Sequence, residues 1–187
     1  IIVAKGEFFM FKEVSLVYFS STKTTQRTVR AIGRALAKAF DIPVQEYDFT
    51  LPNARSRKLH FASDQLVVVG SPVYYAGPNG SLCALLDRLF YSCSDRLAYK
   101  PAAAVAVCRR GGASATFDRL NKYFTISNMP VVSSQYWNSV HGRLPGEAAQ
   151  DAEGLQTMRV LARNMARMLR AGLLASEGRP EPEAVSY

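Results

Sequence analysis

Val14-Ser15-Leu16-Val17-Tyr18-Phe19, followed at once by Ser20-Ser21-Thr22-Lys23-Thr24-Thr25, decides the fold. The first run is apolar almost without a break, as a strand buried on both faces reads. Beyond the second run, residues 28–40 carry Val29, Ile32, Leu36 and Phe40 at helical spacing. A buried strand therefore feeds a helix through a loop of hydroxyl side chains. The first amides of a helix lack partners within it, and its dipole is positive at that end. Amides, dipole and short hydroxyls together suit an anion such as a phosphate. The plainer reading is a Ser/Thr-rich helix cap, and these residues alone leave both open.

The rest of the chain repeats the pattern. Strands are expected at 44–49, 65–70, 102–108 and 131–134, and helices at 81–91, 115–125 and 155–174. A short helix is expected at 56–62. Leu66-Val67-Val68-Val69 is the strongest strand signal. Five strands alternating with helices argue for an open parallel sheet covered on both faces. Ligands of such sheets bind beyond the carboxyl ends of the strands, where the strand order reverses. The chemistry is therefore expected in the loops at 20–25, 72–79 and 109–113.

Length and composition set the bounds. A chain of 187 residues, nearly half of them apolar, is expected to form one domain over residues 14–174. Residues 1–13 read as an N-terminal extension, and the polar, proline-bearing residues 175–187 as a disordered tail. The net charge of +8 could attract an anionic partner. The arginines, however, lie scattered along the chain without interleaved aromatics. The expectation is a basic, solvated surface with no nucleic-acid and no membrane partner. Cys83, Cys93 and Cys108 form no CxxC pair and no metal spacing. With no leader of the secretory type, they point to a cytoplasmic protein without a metal site.

The loops carry more than turn chemistry. The first has neither the Gly-Lys-Ser/Thr ending of a Walker A loop nor the glycines of a dinucleotide fingerprint. Its Ser20, Thr22 and Thr25 resemble the Ser/Thr-x-Thr-x-x-Thr phosphate loop of flavodoxins. Ser21 and Lys23 stand where flavodoxins usually place glycine. Gly70-Ser71-Pro72-Val73-Tyr74-Tyr75-Ala76-Gly77 resembles the loop after the third strand in the NAD(P)H-dependent FMN reductase-like branch of the flavodoxin-like superfamily. Leu85-Leu86-Asp87-Arg88 is similar to the helix after it. Arg109-Arg110-Gly111-Gly112 follows the fourth strand, and glycine there permits close approach of backbone to a ligand. Tyr136-Trp137-Asn138 and His141-Gly142 are also similar to that branch. The resemblance covers residues 14–170. The lack of a ferredoxin-type cysteine group points away from the iron–sulfur flavoproteins.

The resemblance implies a three-layer α/β/α flavodoxin-like fold with a five-stranded parallel sheet in the order 2-1-3-4-5. It implies FMN as cofactor, with the phosphate held by Ser20, Thr22, Lys23, Thr24 and Thr25. The ring system would lie between Pro72, Val73, Tyr74, Tyr75, Ala76 and Gly77 on one side and Arg109, Arg110, Gly111 and Gly112 on the other. Tyr136, Trp137 and His141 are candidates for substrate contact, and no side chain is named as catalytic. The implied activity is transfer of hydride or electrons from NAD(P)H through FMN to a quinone or other small acceptor. A homodimer or homotetramer is implied too. Two other readings stay open: a flavodoxin-like electron carrier, and a member of the fold that has lost flavin.

Overall fold

The computed structural model describes residues 13–51 and 65–171. The terminal segments and the helix expected at 56–62 lie outside the described residues. Five parallel strands form the sheet: β1 (Glu13–Tyr18), β2 (Val44–Asp48), β3 (Gln65–Tyr74), β5 (Ala102–Cys108) and β6 (Ser139–His141). Their order is β2-β1-β3-β5-β6. A two-residue strand, β4 (Gly77–Pro78), folds back antiparallel on the end of β3. Counted without that arm, the order is the expected 2-1-3-4-5, and it reverses between β1 and β3.

Period-two alternation divides the core. Val14, Leu16 and Tyr18 of β1 pack with α1 (Thr24–Phe40) and α4 (Ala152–Arg170). Val17, on the other face, packs with α2 (Gly80–Leu97) and α3 (Ala113–Ile126). All seven residues of β5 are buried, so it reads as an unbroken apolar run. Two glycines let α1 press onto the sheet. A Cβ on Gly33 would lie 2.8 Å from Leu16 Cδ1, and one on Gly70 would lie 2.4 Å from Val29 Cγ1. The same Cβ would lie 3.0 Å from Thr25 Cγ2, so the first two turns of α1 sit close beside β3.

Beyond shifted ends, such as β3 running to Tyr74 and α4 starting at Ala152, three differences have a local reason. Helix α1 starts at Thr24 rather than 28, where Ser20 Oγ accepts the Gln26 amide at 3.0 Å and satisfies one donor of the earlier turn. Helix α2 runs on to Leu97, through a break at Cys93 where φ is −151°. Both Ser92 Oγ and Cys93 Sγ donate to the Leu89 carbonyl there. The strand expected at 131–134 is reduced to one bridge, Val131 opposite Ala102. Ser134 Oγ instead bonds Tyr136 O at 2.5 Å and Asn138 Oδ1 at 2.7 Å. The chain bows off the edge and rejoins β5 at Ser139, opposite Ala106.

Candidate functional site

The loops at the carboxyl ends of β1, β3, β5 and β6 converge through specific contacts. Ser20 donates its amide to Thr50 Oγ1, at the end of β2, at 2.7 Å. Ser21 Oγ lies 2.9 Å from Tyr74 Oη and ties the first loop to the hairpin after β3. The Phe19 ring meets Tyr74 edge-on at 6.4 Å between centroids. Gly142 donates its amide to Cys108 O at 2.8 Å, joining the last two loops.

The first loop forms a nest of amides. Among the described residues, the N–H groups of Ser21, Thr22, Thr24 and Thr25 have no protein acceptor. Thr22 and Thr24 place their hydroxyls 2.8 Å apart beside them. Four free donors at a helix start are the means by which such termini hold phosphate. The loop closes because Lys23 adopts the left-handed conformation, with φ 61° and ψ 5°. Of the two positions where the family prefers glycine, then, Lys23 takes up positive φ and Ser21 does not. Lys23 is exposed, Thr25 is buried, and Ser20 is buried with its oxygen engaged by Gln26.

The hairpin after β3 is strained. Val73 pairs Pro78 and Tyr74 pairs Gly77, leaving Tyr75 and Ala76 as a two-residue turn. Both have positive φ, 50° and 57°. A two-residue turn with both centres left-handed normally takes Asn-Gly or Asp-Gly, and here neither residue is glycine. Such strain persists only where its surroundings enforce it. Ser71 Oγ supplies part of that restraint, donating to Pro72 O and accepting the Asn79 amide at 2.9 Å. Gly112 supplies more. At φ 82° it lies so close to the turn that an added Cβ would sit 2.8 Å from Ala76 Cα. Tyr75 stands fully exposed at the crown, and Tyr74 is partly exposed below it.

Arg109 and Arg110 are exposed and Gly111 opens onto free space. Burial pushes the Cys108 thiol up, and the nearby Asp151 charge adds to this. Burial likewise raises the Cys83 thiol, against a lowering effect from Arg119. Neither is an activated nucleophile.

His141, at the end of β6, donates its amide to Asp151 Oδ2 at 2.7 Å, and its ring Nδ1 lies 3.4 Å from the same oxygen. Asp151 caps α4 through the Gly154 amide at 2.9 Å. Burial draws its carboxyl upward, but the amides of His141 and Gly154 more than offset this and hold it below its usual range. Tyr136 and Trp137 lie elsewhere. They are exposed on the bow at the sheet edge, with ring centroids 5.2 Å apart, short of its carboxyl end.

Sequence reasoning missed two supports. Thr50 orients the first loop, and the Glu147 carboxylate holds the amides of Arg143 and Leu144 at 2.6 and 2.9 Å. The second had a legible signal in Pro145-Gly146 followed by an acid, which marks a turn.

Comparison with known proteins bears on the family and the fold. Residues 53–143 match the family of NADPH-dependent FMN reductases. An iron–sulfur flavoprotein of Methanocaldococcus jannaschii is 31% identical over 112 residues. That stretch is 56% of this chain and 58% of the relative, so the chain spans less than two thirds of its length. That relative belongs to the class of proteins from which the cysteine pattern of this chain points away. The three cysteines of this chain are still one fewer than the four thiolates a cluster usually takes. Among solved structures, an archaeal flavodoxin superposes with a TM-score of 0.64 at 19% identity, covering 84% of this chain and 99% of its own. A WrbA-like flavodoxin from Agrobacterium tumefaciens gives 0.62 at 17%, covering 86% and 98%. The fold is flavodoxin-like, and the FMN reductase-like branch is the one this chain resembles.

Proposed function

We propose that this flavodoxin-like chain, of the FMN reductase-like branch, is an FMN-dependent oxidoreductase that passes electrons from NAD(P)H to a quinone or another small acceptor. The observation that carries the reading is the nest of four free amides at the start of α1, set against a strained aromatic hairpin. The residues fit the cofactor. The nest takes a phosphate monoester, and Thr22 and Thr24 add hydroxyl donors. Tyr75 offers an exposed ring to a flat heterocycle. Gly111 leaves backbone open on the facing side. Bound FMN would supply the redox chemistry itself.

The protein's share is placement. Tyr74 Oη, held by Ser21 Oγ, fixes the hairpin relative to the phosphate nest. Gly112 holds the turn from beneath, so Tyr75 is presented rather than collapsed. Arg109 and Arg110, exposed on the loop after β5, would stabilise an anionic reduced ring held beside them. No side chain here needs to act as a nucleophile. Assembly as a dimer or tetramer, with the Tyr136–Trp137 bow as one contact, belongs to the same proposal.

Similarity to an iron–sulfur flavoprotein supports a second reading, in which bound FMN exchanges electrons with a redox protein. One experiment separates the two. FMN is titrated into the purified chain by fluorescence quenching, then NADPH and NADH are added without oxygen. Bleaching of the bound-flavin band supports the reductase. Bound flavin that neither nucleotide bleaches supports the second reading. No binding at micromolar FMN refutes both.

A further inference from the structure

We propose that the outer face of the α1–α4 layer is a docking surface for the phosphate backbone of duplex nucleic acid. The expectation of no such partner rested on the arginines being scattered along the sequence. In the fold they are gathered. Helices α1 and α4 carry eight of the basic residues, Arg or Lys, and a single acid, Glu153. On α1, Arg27, Arg34 and Lys38 fall within about 40° of arc at 3.6 residues per turn. On α4, Arg159, Arg163, Arg167 and Arg170 fall within about 80°. All seven are exposed.

The two rows lie side by side. The first turns meet where Thr24, Arg27 and Thr28 share a cavity of about 120 Å³ with Leu155 of α4. The last turns meet where Arg170 donates to Ala39 O at 3.4 Å and covers the Phe40 ring at 5.3 Å. The helices therefore run parallel, with axes roughly 8–10 Å apart. Along α4 the arginines recur every four, four and three residues, or about 4.5–6 Å of rise. Of the eight bases only Arg30 forms an ion pair among the described residues, with Glu46 at 2.8 Å.

The chemistry of the face selects the partner. Seven of the eight bases are arginine, whose planar fork matches phosphate oxygens. A single strand would need aromatic platforms, and a membrane is held best where apolar side chains insert beside the charge. A protein partner would need an apolar centre. Among the described residues, none of the exposed large apolar residues belongs to α1 or α4. What remains is two parallel rows of charge, suited to a duplex backbone read without regard to sequence. None of the seven bases is among the residues placed in the flavin site, so the proposal does not rest on that site, and Arg27 is the base of the face nearest the phosphate nest.

The test is fluorescence anisotropy of a labelled 24-base-pair duplex with the full chain, across 50–200 mM KCl. Binding should weaken with salt at a logarithmic slope near −4 to −5, about five phosphates at roughly 0.9 each. Arg159→Glu with Arg163→Glu should weaken binding about tenfold or more at 50 mM. Arg88→Glu with Lys122→Glu, the same charge change on the α2–α3 layer, should leave it within about twofold of the parent. Circular dichroism of each variant checks that it is folded. Equal losses in the two variants would overturn the proposal, as would no binding at 50 mM. Tighter binding to vesicles with 30% phosphatidylserine than to the duplex at equal salt would overturn it in favour of a membrane. Unchanged results with and without FMN would separate this surface from the flavin site.

Discussion

Lys23→Gly should stabilise the fold while weakening the phosphate site, and the two effects can be measured apart. Lys23 caps α1 in the left-handed region, at φ 61° and ψ 5°, with no side-chain bond to the helix. A residue with a Cβ carries about 1–2 kcal/mol of strain in that region. Glycine removes the strain, but the greater freedom of the unfolded chain takes back about 0.4–1 kcal/mol. The net gain is about 0.5–1 kcal/mol, or roughly 1–4 °C in Tm for a chain of this size. Glycine is also an accepted N-cap, so the helix start is kept.

Lys23→Ala is the control. It removes the charge but keeps the Cβ, and hence the strain, so its Tm should stay close to the parent. Both variants lose one cation beside the four amides, which a helix-terminus interaction values at about 0.3–1 kcal/mol. FMN affinity should thus fall about two- to fivefold in each. The measurements are thermal unfolding by circular dichroism and FMN titration by fluorescence quenching. If Lys23→Gly melts no higher than Lys23→Ala, the strain argument fails. If neither variant changes FMN affinity, Lys23 takes no part in holding the phosphate.

Three further outcomes follow from the same geometry. Tyr75→Asn with Ala76→Gly gives the turn the residues its backbone prefers, so unfolding in urea should shift by about 1–3 kcal/mol toward stability. FMN should at the same time bind more weakly, and tighter binding would show that the Tyr75 ring obstructs the site. Gly112→Ala combines a positive φ with a Cβ 2.8 Å from Ala76 Cα, and should cost about 2–4 kcal/mol in the same assay; a cost below 0.5 kcal/mol would mean that the hairpin moves aside freely. Asp151→Asn should cost on the order of 1 kcal/mol near pH 7. The Asp151 carboxyl is held low in the fold, so its contribution is present above the ordinary carboxyl value of about 3.9 and is lost as pH falls through the lower, folded one. The gap between parent and variant should therefore close in acid, and a gap that widens would reverse the sign.

The central strands were legible because they rest on signals that neighbours cannot easily override, whereas their order came from the family resemblance. Val14–Tyr18, apolar but for Ser15, and Ala102–Cys108, apolar throughout, read as strands covered on both faces. The edge was less legible. Residues 131–134 have the composition of a strand, but at an edge nothing on the outer side demands pairing. There Ser134 Oγ can divert the local hydrogen bonds. The site divided the same way. The loop at 20–25 declared its hydroxyls, and they do flank free amides. The strain at Lys23, Tyr75 and Ala76 was hidden, because the residue types give no warning of positive φ. Only Thr50, Ser71 and Gly112, drawn from three other strand ends and invisible as a group in sequence, show what holds those loops in place.

The arginines make the complementary case. In the linear sequence, Arg27, Arg34, Arg159 and Arg163 stand more than a hundred residues apart in two pairs, and each looks like an ordinary solvated charge. Helical periodicity places each pair on the outside of its own helix, opposite Ile32 and Leu36 on α1 and opposite Leu161 and Met165 on α4. The burial pattern that makes α1 and α4 one layer therefore also makes their outer faces one surface. Like charges held so close repel, and that cost is borne by the fold unless an anion relieves it. The same reasoning gives a stability test that needs no ligand: raising KCl from 20 to 200 mM should raise Tm in the parent more than in Arg159→Glu with Arg163→Glu. An equal response in both would mean that the rows are too well solvated to repel, and so too weakly focused to hold a polyanion.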